Sequence, residues 1–355
     1  MHKNGNGSMN AAILYGAEDL KIESVGIPTV GDDEVLVRVE VALTCGTDLK
    51  VWKRGYHARM IKPPSLFGHE LAGVIVEAGR SVNGGVRKGM RVLPANSAPC
   101  NVCFYCKKGQ PNLCEDLLFN NGAYAQYIRI PGRIVRENMQ EIPNHVTFTD
   151  AAMAEPLACV LRGIHETGIR AGDTAVVIGC GAIGLKFIRV LSQRNVRVIA
   201  VGKRKNQMDA ALRLGAVAAF DVNEIDNPVK CVRDLTEGVR GADAVIEAVG
   251  RPISWEWALQ MVRKGGTVQL FGGCPTGTEV KIDPAALHYS EITIKSTFHH
   301  TPRFMREALE TIARGEIRAS DFVTGEVGLE GLPEVFEHMK NRKDELKTAV
   351  IPSHA

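Results

Sequence analysis

Thr174-Ala175-Val176-Val177-Ile178, followed at once by Gly179-Cys180-Gly181-Ala182-Ile183-Gly184, is the stretch whose reading decides the fold. The first five residues are apolar and mostly β-branched, the signature of a short buried strand. The next six form a G-x-G-x-x-G set. A helical pattern runs from Leu185 to about Gln193, and a second apolar run, Val196 to Val201, follows it. Strand, glycine turn, helix and strand within about 30 residues are the context that a dinucleotide fingerprint requires. The glycines divide the work between a tight turn, close approach of backbone to pyrophosphate, and close packing of helix on strand. The helix N-terminus adds free N–H groups and partial positive charge. Gly179, Gly181, Ala182, Ile183 and Gly184 are therefore assigned to the cofactor phosphates.

Outward from this point the pattern predicts the rest of an α/β unit. Asp243 to Ala248 and Thr267 to Gly273 read as further apolar strands, so a doubly wound parallel sheet is expected over 158–297. Upstream, Val35 to Val41 and Leu71 to Gly79 are short strands separated by Gly, Pro and Asp, which points to a compact β-rich domain. Two amphipathic helices are expected at about Phe304 to Arg314 and Leu332 to Asn341, with a terminal strand, Lys347 to Ile351, returning to the first domain. The expected partition is a disordered tail at 1–9, one domain made of 10–157 and 298–355, and a second made of 158–297.

Composition narrows the function. With 355 residues, 45% hydrophobic and 23% charged, the chain can form two domains with a large core. A formal net charge of +3 and the lack of a long basic run do not imply nucleic acid. The longest apolar stretch, Ala175 to Leu185, is too short to span a bilayer, and no apolar signal region stands at the N-terminus, so a cytoplasmic protein without membrane partners is expected.

Four of the nine cysteines fall close together as Cys100-x2-Cys103-x2-Cys106-x7-Cys114. Four thiolates on one loop are enough to close a tetrahedral structural zinc site. A second set is spread along the chain: Cys45 and Thr47 in Thr44-Cys45-Gly46-Thr47-Asp48, His69 and Glu70 in Phe67-Gly68-His69-Glu70, and Glu155 in Ala154-Glu155-Pro156-Leu157. Thiolate, imidazole, carboxylate and water would make a zinc with one exchangeable position. Taken singly, Cys45 reads equally as a small core residue, His69 as a turn residue and Glu155 as a helix-start acid.

In this order around this fingerprint, the segments resemble the zinc-dependent medium-chain alcohol dehydrogenases from Asn10 to Pro352, and Glu155 in place of a cysteine resembles the polyol and threonine dehydrogenase branch. The resemblance implies a GroES-like, partly open β-barrel carrying the zinc sites and a Rossmann domain carrying the cofactor. It implies Cys45, His69 and Glu155 as catalytic zinc ligands, with Glu70 able to bind the metal instead, and leaves open which acid binds at rest. Two zinc ions per chain and a homodimer or homotetramer are likewise implied. In the implied chemistry zinc acts as a Lewis acid on a substrate hydroxyl, Thr47 takes the proton, and hydride passes to the nicotinamide.

Departures from the family pattern bear on the substrate. Lys50 stands where a proton-relaying histidine is frequent. Phe298-His299-His300-Thr301 stands where polyol dehydrogenases carry an arginine and a tyrosine. His299 and His300 either replace those contacts or serve packing alone. The expected substrate is a secondary alcohol of the polyol, cyclitol or sugar class. The alternatives are a threonine-type amino alcohol, or a zinc- and nucleotide-binding protein without turnover. For the cofactor, the residues after Ile199-Ala200-Val201 are Gly202-Lys203-Arg204-Lys205. Gly202 occupies the place of the acid that would bond an NAD ribose, and Lys203 and Arg204 could bind a 2′-phosphate, so NADP is expected over NAD. The bland alternative is that these cations open a solvated helix.

Overall fold

The computed structural model describes residues 7–341 and 346–353. The chain divides into two compact units, one running to Pro156 and resuming at His300, the other Leu157–His299.

The second unit is built on six strands: β1 (Thr174–Ile178), β2 (Arg197–Gly202), β3 (Ala216–Asp221), β4 (Ala242–Glu247), β5 (Val262–Leu270) and β6 (Thr293–Ser296). All pair in parallel, in the order β3-β2-β1-β4-β5-β6. The order reverses between β1 and β4, which is where doubly wound sheets take their ligands, beyond the carboxyl ends of the strands. Val176, Ile178, Ile199, Val201, Val245 and Val268 are buried together. Central strands covered on both faces read as continuous apolar runs rather than alternating ones.

The helix after β1 is Ala182–Gln193, three residues longer at its start than its apolar periodicity predicts. The fingerprint itself supplies the first turn, with Gly181 as N-cap. Gly184 has no room for a side chain: a Cβ there would lie 1.7 Å from the Gly179 carbonyl oxygen and 3.4 Å from Val177 Cγ1. That contact sets how closely the helix lies on the turn.

In the first unit the hub is Val35–Leu43, which pairs antiparallel with Leu71–Ala78, Tyr127–Ile130 and Thr348–Ile351. Arg91–Pro94 and Met139–Glu141 extend the sheet beyond Leu71–Ala78, and Gly325–Gly328 extends it in parallel beyond Thr348–Ile351. The terminal strand therefore returns to the first unit, as its sequence suggested. A separate three-stranded sheet joins Asp19–Gly26, Ser8–Gly16 and Ser65–Leu66. Here the expectation of a disordered tail at 1–9 needs correction. Residues 1–6 lie outside the described residues, but Ser8 and Met9 belong to the strand Ser8–Gly16. Met9 is buried against Ala11 and Ala125, with Val25, Ile27 and Leu66 packed beside them.

The tight contact at Gly184 yields a test. Gly184→Ala should cost about 1–3 kcal/mol through overpacking of the turn, read as a lower Tm together with weaker nucleotide binding in a fluorescence titration.

Candidate active site

His69 and Glu70 follow a turn that only this local sequence allows. Gly68 has φ +89°, and a Cβ there would fall 2.6 Å from the Tyr124 ring. Phe67 is buried, its ring centroid 5.8 Å from Tyr124 and 5.6 Å from Phe336. This packing fixes the backbone just before the two polar residues. Cys45 is the N-cap of the helix Gly46–Arg54, its Sγ accepting the Thr47 N–H at 3.4 Å. The ligand atoms of Cys45, His69 and Glu70 lie within 4.8 Å of one another, and His69 and Glu70 are buried.

Groups that the sequence reading passed over surround this triad. Asp48, 1% exposed, places Oδ1 2.8 Å from His69 Nδ1. With a carboxylate as its partner, Nδ1 is the donor, and Nε2 is the ring atom left for a second proton or a metal ion. Burial opposes a charge on His69, but Asp48 outweighs it and holds the ring's pKa well above the ordinary imidazole value. Asp48 thereby favours a cation at Nε2, whether a proton or a metal ion. The Tyr124 hydroxyl donates to Asp48 Oδ2 at 2.6 Å and lies 3.1 Å from the Leu43 carbonyl oxygen. Lys347 is buried as well: its Nζ donates to the Thr44 carbonyl oxygen at 2.5 Å and lies 2.6 Å from Glu70 Oε2. That approach is an ion pair rather than a well-aligned hydrogen bond, and Glu70 Oε1 has no hydrogen-bond donor. Burial opposes the lysine's charge, but Glu70 and Cys45 raise its pKa above the usual value.

Glu155 belongs to a neighbouring polar group. Asn96 Nδ2 donates to Glu155 Oε1 at 3.4 Å, and His300 Nε2 lies 2.8 Å from Asn96 Oδ1 and 3.8 Å from Glu155 Oε1. Burial raises the Glu155 pKa to about 7; His69 and Lys347 pull it down and Glu70 pushes it up. Glu155 is thus coupled electrostatically to the triad, while Glu70 is the acid grouped with Cys45 and His69. Lys50 is exposed, on the same helix whose buried residues are Asp48, Val51 and Trp52. His299, at φ +69°, has its carbonyl oxygen held by Arg162 Nη1 at 2.9 Å.

The second sulfur group is also brought together. Cys100, Cys103, Cys106 and Cys114 place their Sγ atoms within 4.8 Å of one another. Backbone N–H groups point at them: Cys100 N at Cys114 Sγ (3.2 Å) and Cys103 N at Cys100 Sγ (3.4 Å). The N–H groups of Cys106 and Glu115 pull the Cys103 thiol down to about 6. Burial and the neighbouring thiols push Cys106 up to about 12. Four sulfurs this close lose their protons together only when a cation shares them.

In the second unit, a Cβ on Gly181 would meet no protein atom within 4 Å, so the backbone there is open to a ligand. Across the switch point, Glu247 ends β4 fully buried; its Oε1 accepts from the N–H of Val249 (2.7 Å), the N–H of Gly250 (2.8 Å) and Ser254 Oγ (2.8 Å). Burial raises its pKa against these bonds. Glu247 was also not foreseen; an acid closing an otherwise apolar strand was the available signal.

Comparison with known proteins agrees with this geometry. Residues 31–140 match the alcohol dehydrogenase GroES-like domain, and residues 182–314 match the zinc-binding dehydrogenase family. Over 272 residues the chain is 33% identical to the L-threonine 3-dehydrogenase of Bacillus licheniformis, covering 75% of this chain and 76% of the relative. The chain belongs to the zinc-dependent medium-chain alcohol dehydrogenases. It is 28% identical to the sorbitol dehydrogenase of Bacillus subtilis over 354 residues, 98% of each chain. A protein from Sinorhizobium meliloti 1021, assigned as a zinc-binding dehydrogenase and bound to NADP, superposes with a TM-score of 0.89 at 30% identity, over 97% of this chain and 99% of that one. Membership makes this dehydrogenase an NAD(P)-linked enzyme acting on CH–OH groups, with a GroES-like and a Rossmann domain.

For this dehydrogenase, the Asp48–His69 bond has a measurable consequence. Outer groups that orient a ligating histidine are typically worth about 10–100-fold in metal affinity or activity. Asp48→Ala should weaken zinc retention by that order in competition with a chelator, while Tyr124→Phe, which spares the carboxylate, should change it less.

Proposed function

We propose that this enzyme oxidises a secondary hydroxyl of a polyol, cyclitol or sugar to the ketone, using NADP in preference to NAD and holding two zinc ions per chain. The observation that carries the reading is the convergence of Cys45 with the buried His69 and Glu70, in a chain aligned with sorbitol dehydrogenase over 98% of both lengths.

The donor set suits a divalent cation. Cys45, His69, Glu70 and Glu155 offer a sulfur, an imidazole nitrogen and two buried carboxylates, the donor types that hold zinc. Cys45 and His69 with Glu70 or Glu155 would hold the catalytic ion, and Cys100, Cys103, Cys106 and Cys114 the structural one. When bound, zinc supplies Lewis-acid polarisation of the substrate hydroxyl, and the nicotinamide takes the hydride. The remaining work belongs to the chain. Asp48 orients His69, the Thr47 N–H supports the Cys45 thiolate, and the Thr47 hydroxyl accepts the substrate proton and passes it outward. His300, fixed by Asn96, and His299 are offered as contacts to the further hydroxyls of the substrate; Lys50, exposed on the same helix as Thr47, is the weaker third contact.

Support for NADP comes from the end of β2. Gly202 is buried there, and a Cβ would lie 2.3 Å from Met208 Cε. Lys203 is exposed, and Arg204 is the N-cap of the helix Lys205–Arg213. The segment itself carries cations where an acid would bond the ribose, with Asp221 opposite Gly202 on the next strand, and Arg204 has the planar fork suited to a 2′-phosphate. The protein is placed in the cytoplasm, where a four-thiolate loop is chemically at home. Assembly as a homodimer or homotetramer is supported by β6, an edge strand left exposed on the sheet.

A threonine-type activity is the second reading, favoured by the 33% identity to L-threonine 3-dehydrogenase. NAD(P)H formation across polyols, sugars and threonine decides between them: turnover of threonine alone would replace the polyol assignment, and no turnover at all would leave a binding protein. With the preferred alcohol, kcat/KM should be at least about 10-fold higher with NADP than with NAD, the scale of one hydrogen bond to a charged group. Gly202→Asp combined with Arg204→Ala should erase or reverse that ratio. Cys45→Ala should lose about one zinc per chain and turnover while keeping its fold, and retention of both metals would refute the ligand assignment.

A further inference from the structure

Glu70 stands between two kinds of partner. On one side are Cys45 and His69, whose ligand atoms lie with its own within 4.8 Å. On the other is Lys347 Nζ, 2.6 Å from Oε2. The lysine is held in place. Its carbonyl oxygen accepts from Thr324 N at 2.9 Å, and its Nζ donates to the Thr44 carbonyl oxygen at 2.5 Å. The next residue is tied to the same threonine twice: Thr44 N donates to the Thr348 carbonyl oxygen at 3.0 Å, and Thr348 N donates to Thr44 Oγ1 at 2.9 Å. Thr44 in turn directly precedes Cys45. One short segment therefore fixes the thiol and the ammonium in a common frame, with the Glu70 carboxylate free to serve either.

Resting on the metal-site reading above, in its form with Glu155 as the acid ligand, we propose that Lys347 is a positioning residue that holds Glu70 beside the catalytic metal rather than on it, and so keeps one coordination position exchangeable. The reasoning is electrostatic. A fully buried carboxylate needs a cationic partner, and with Lys347 present it has one that does not consume a metal site. Without the lysine, the metal is the remaining buried cation, and Glu70 becomes a standing ligand. The metal is then held more tightly and the alcohol must displace a carboxylate to reach it.

The test follows zinc release from the two-zinc enzyme to a chromogenic chelator, the faster phase being assigned as the one missing in Cys45→Ala. In Lys347→Met that phase should slow about 10-fold, the low end of what groups around a metal's ligands are worth, and the KM for the alcohol should rise. Lys347→Arg, which keeps the charge, should release zinc at the wild-type rate. Adding Glu70→Gln to Lys347→Met should restore fast release, because the amide is a poor ligand. Should Lys347→Met fail to fold, Lys347→Gln replaces it with the same expected slowing. Release that is unchanged or faster in the neutral variant, with a normal zinc count, overturns this inference alone. A Cys45→Ala protein that keeps both zinc ions overturns the metal-site reading and this inference with it.

Discussion

The first unit depends on one constraint, that its buried charges be balanced within a few ångströms. Asp48 is tied to His69 and Tyr124, Glu70 faces Lys347, and Glu155 is reached by Asn96. Pairs of this kind add little net stability, since taking two ions out of water costs about as much as their attraction returns. Their removal one at a time is what is expensive. The network is thus a poor explanation of why the unit folds, which falls to the apolar packing around Phe67, Tyr124, Phe336 and the Val35–Leu43 strand. It is a good explanation of why the site has one geometry. A divalent cation held by Cys45, His69 and one of the acids would have to enter that balance.

Backbone N–H groups at helix starts recur wherever negative charge must be received. Cys45 caps Gly46–Arg54, Gly181 caps Ala182–Gln193 and Arg204 caps Lys205–Arg213. The first gives the Thr47 N–H to the Cys45 sulfur, the second leaves the backbone open at Gly181, and the third follows the exposed Lys203. The four-cysteine loop uses the same donors without a long helix, through the N–H groups of Cys100 and Cys103.

What was legible in the sequence was local. β1, the glycine turn and the following helix declare themselves because strand period, glycine placement and helix start all lie within one short segment. The four cysteines are legible for the same reason. The segments of Cys45, His69, Glu70 and Glu155 were read as one zinc set with the choice of acid left open; the structure groups Cys45, His69 and Glu70 and sets Glu155 beside Asn96 and His300. Asp48 and Lys347 escaped notice because a charged residue carries no periodicity, and each is explained only by a partner far along the chain. Met9 was misread for the same reason, since its strand bridges to Ala125, and Asn10 N donates to Gln126 Oε1 across 116 positions. Lys50 shows the converse. It follows the metal segment closely in sequence, but the helix turns it to solvent.

The hydrogen bond between Thr44 and Thr348 joins residues 304 positions apart. The strand that carries Lys347 inward is therefore made only after the whole nucleotide unit has left the ribosome. At about 5–20 residues per second this leaves the acids of the pocket without their lysine for ~15–60 s in every nascent chain. During that interval the first unit lacks an interior strand, and the neighbouring edge of Val35–Leu43 lies open to pairing with other chains. Sealing that edge requires a closure of very high contact order, the kind that folds slowly. The order of synthesis thus makes this late pairing the step at which a newborn molecule is most exposed to aggregation.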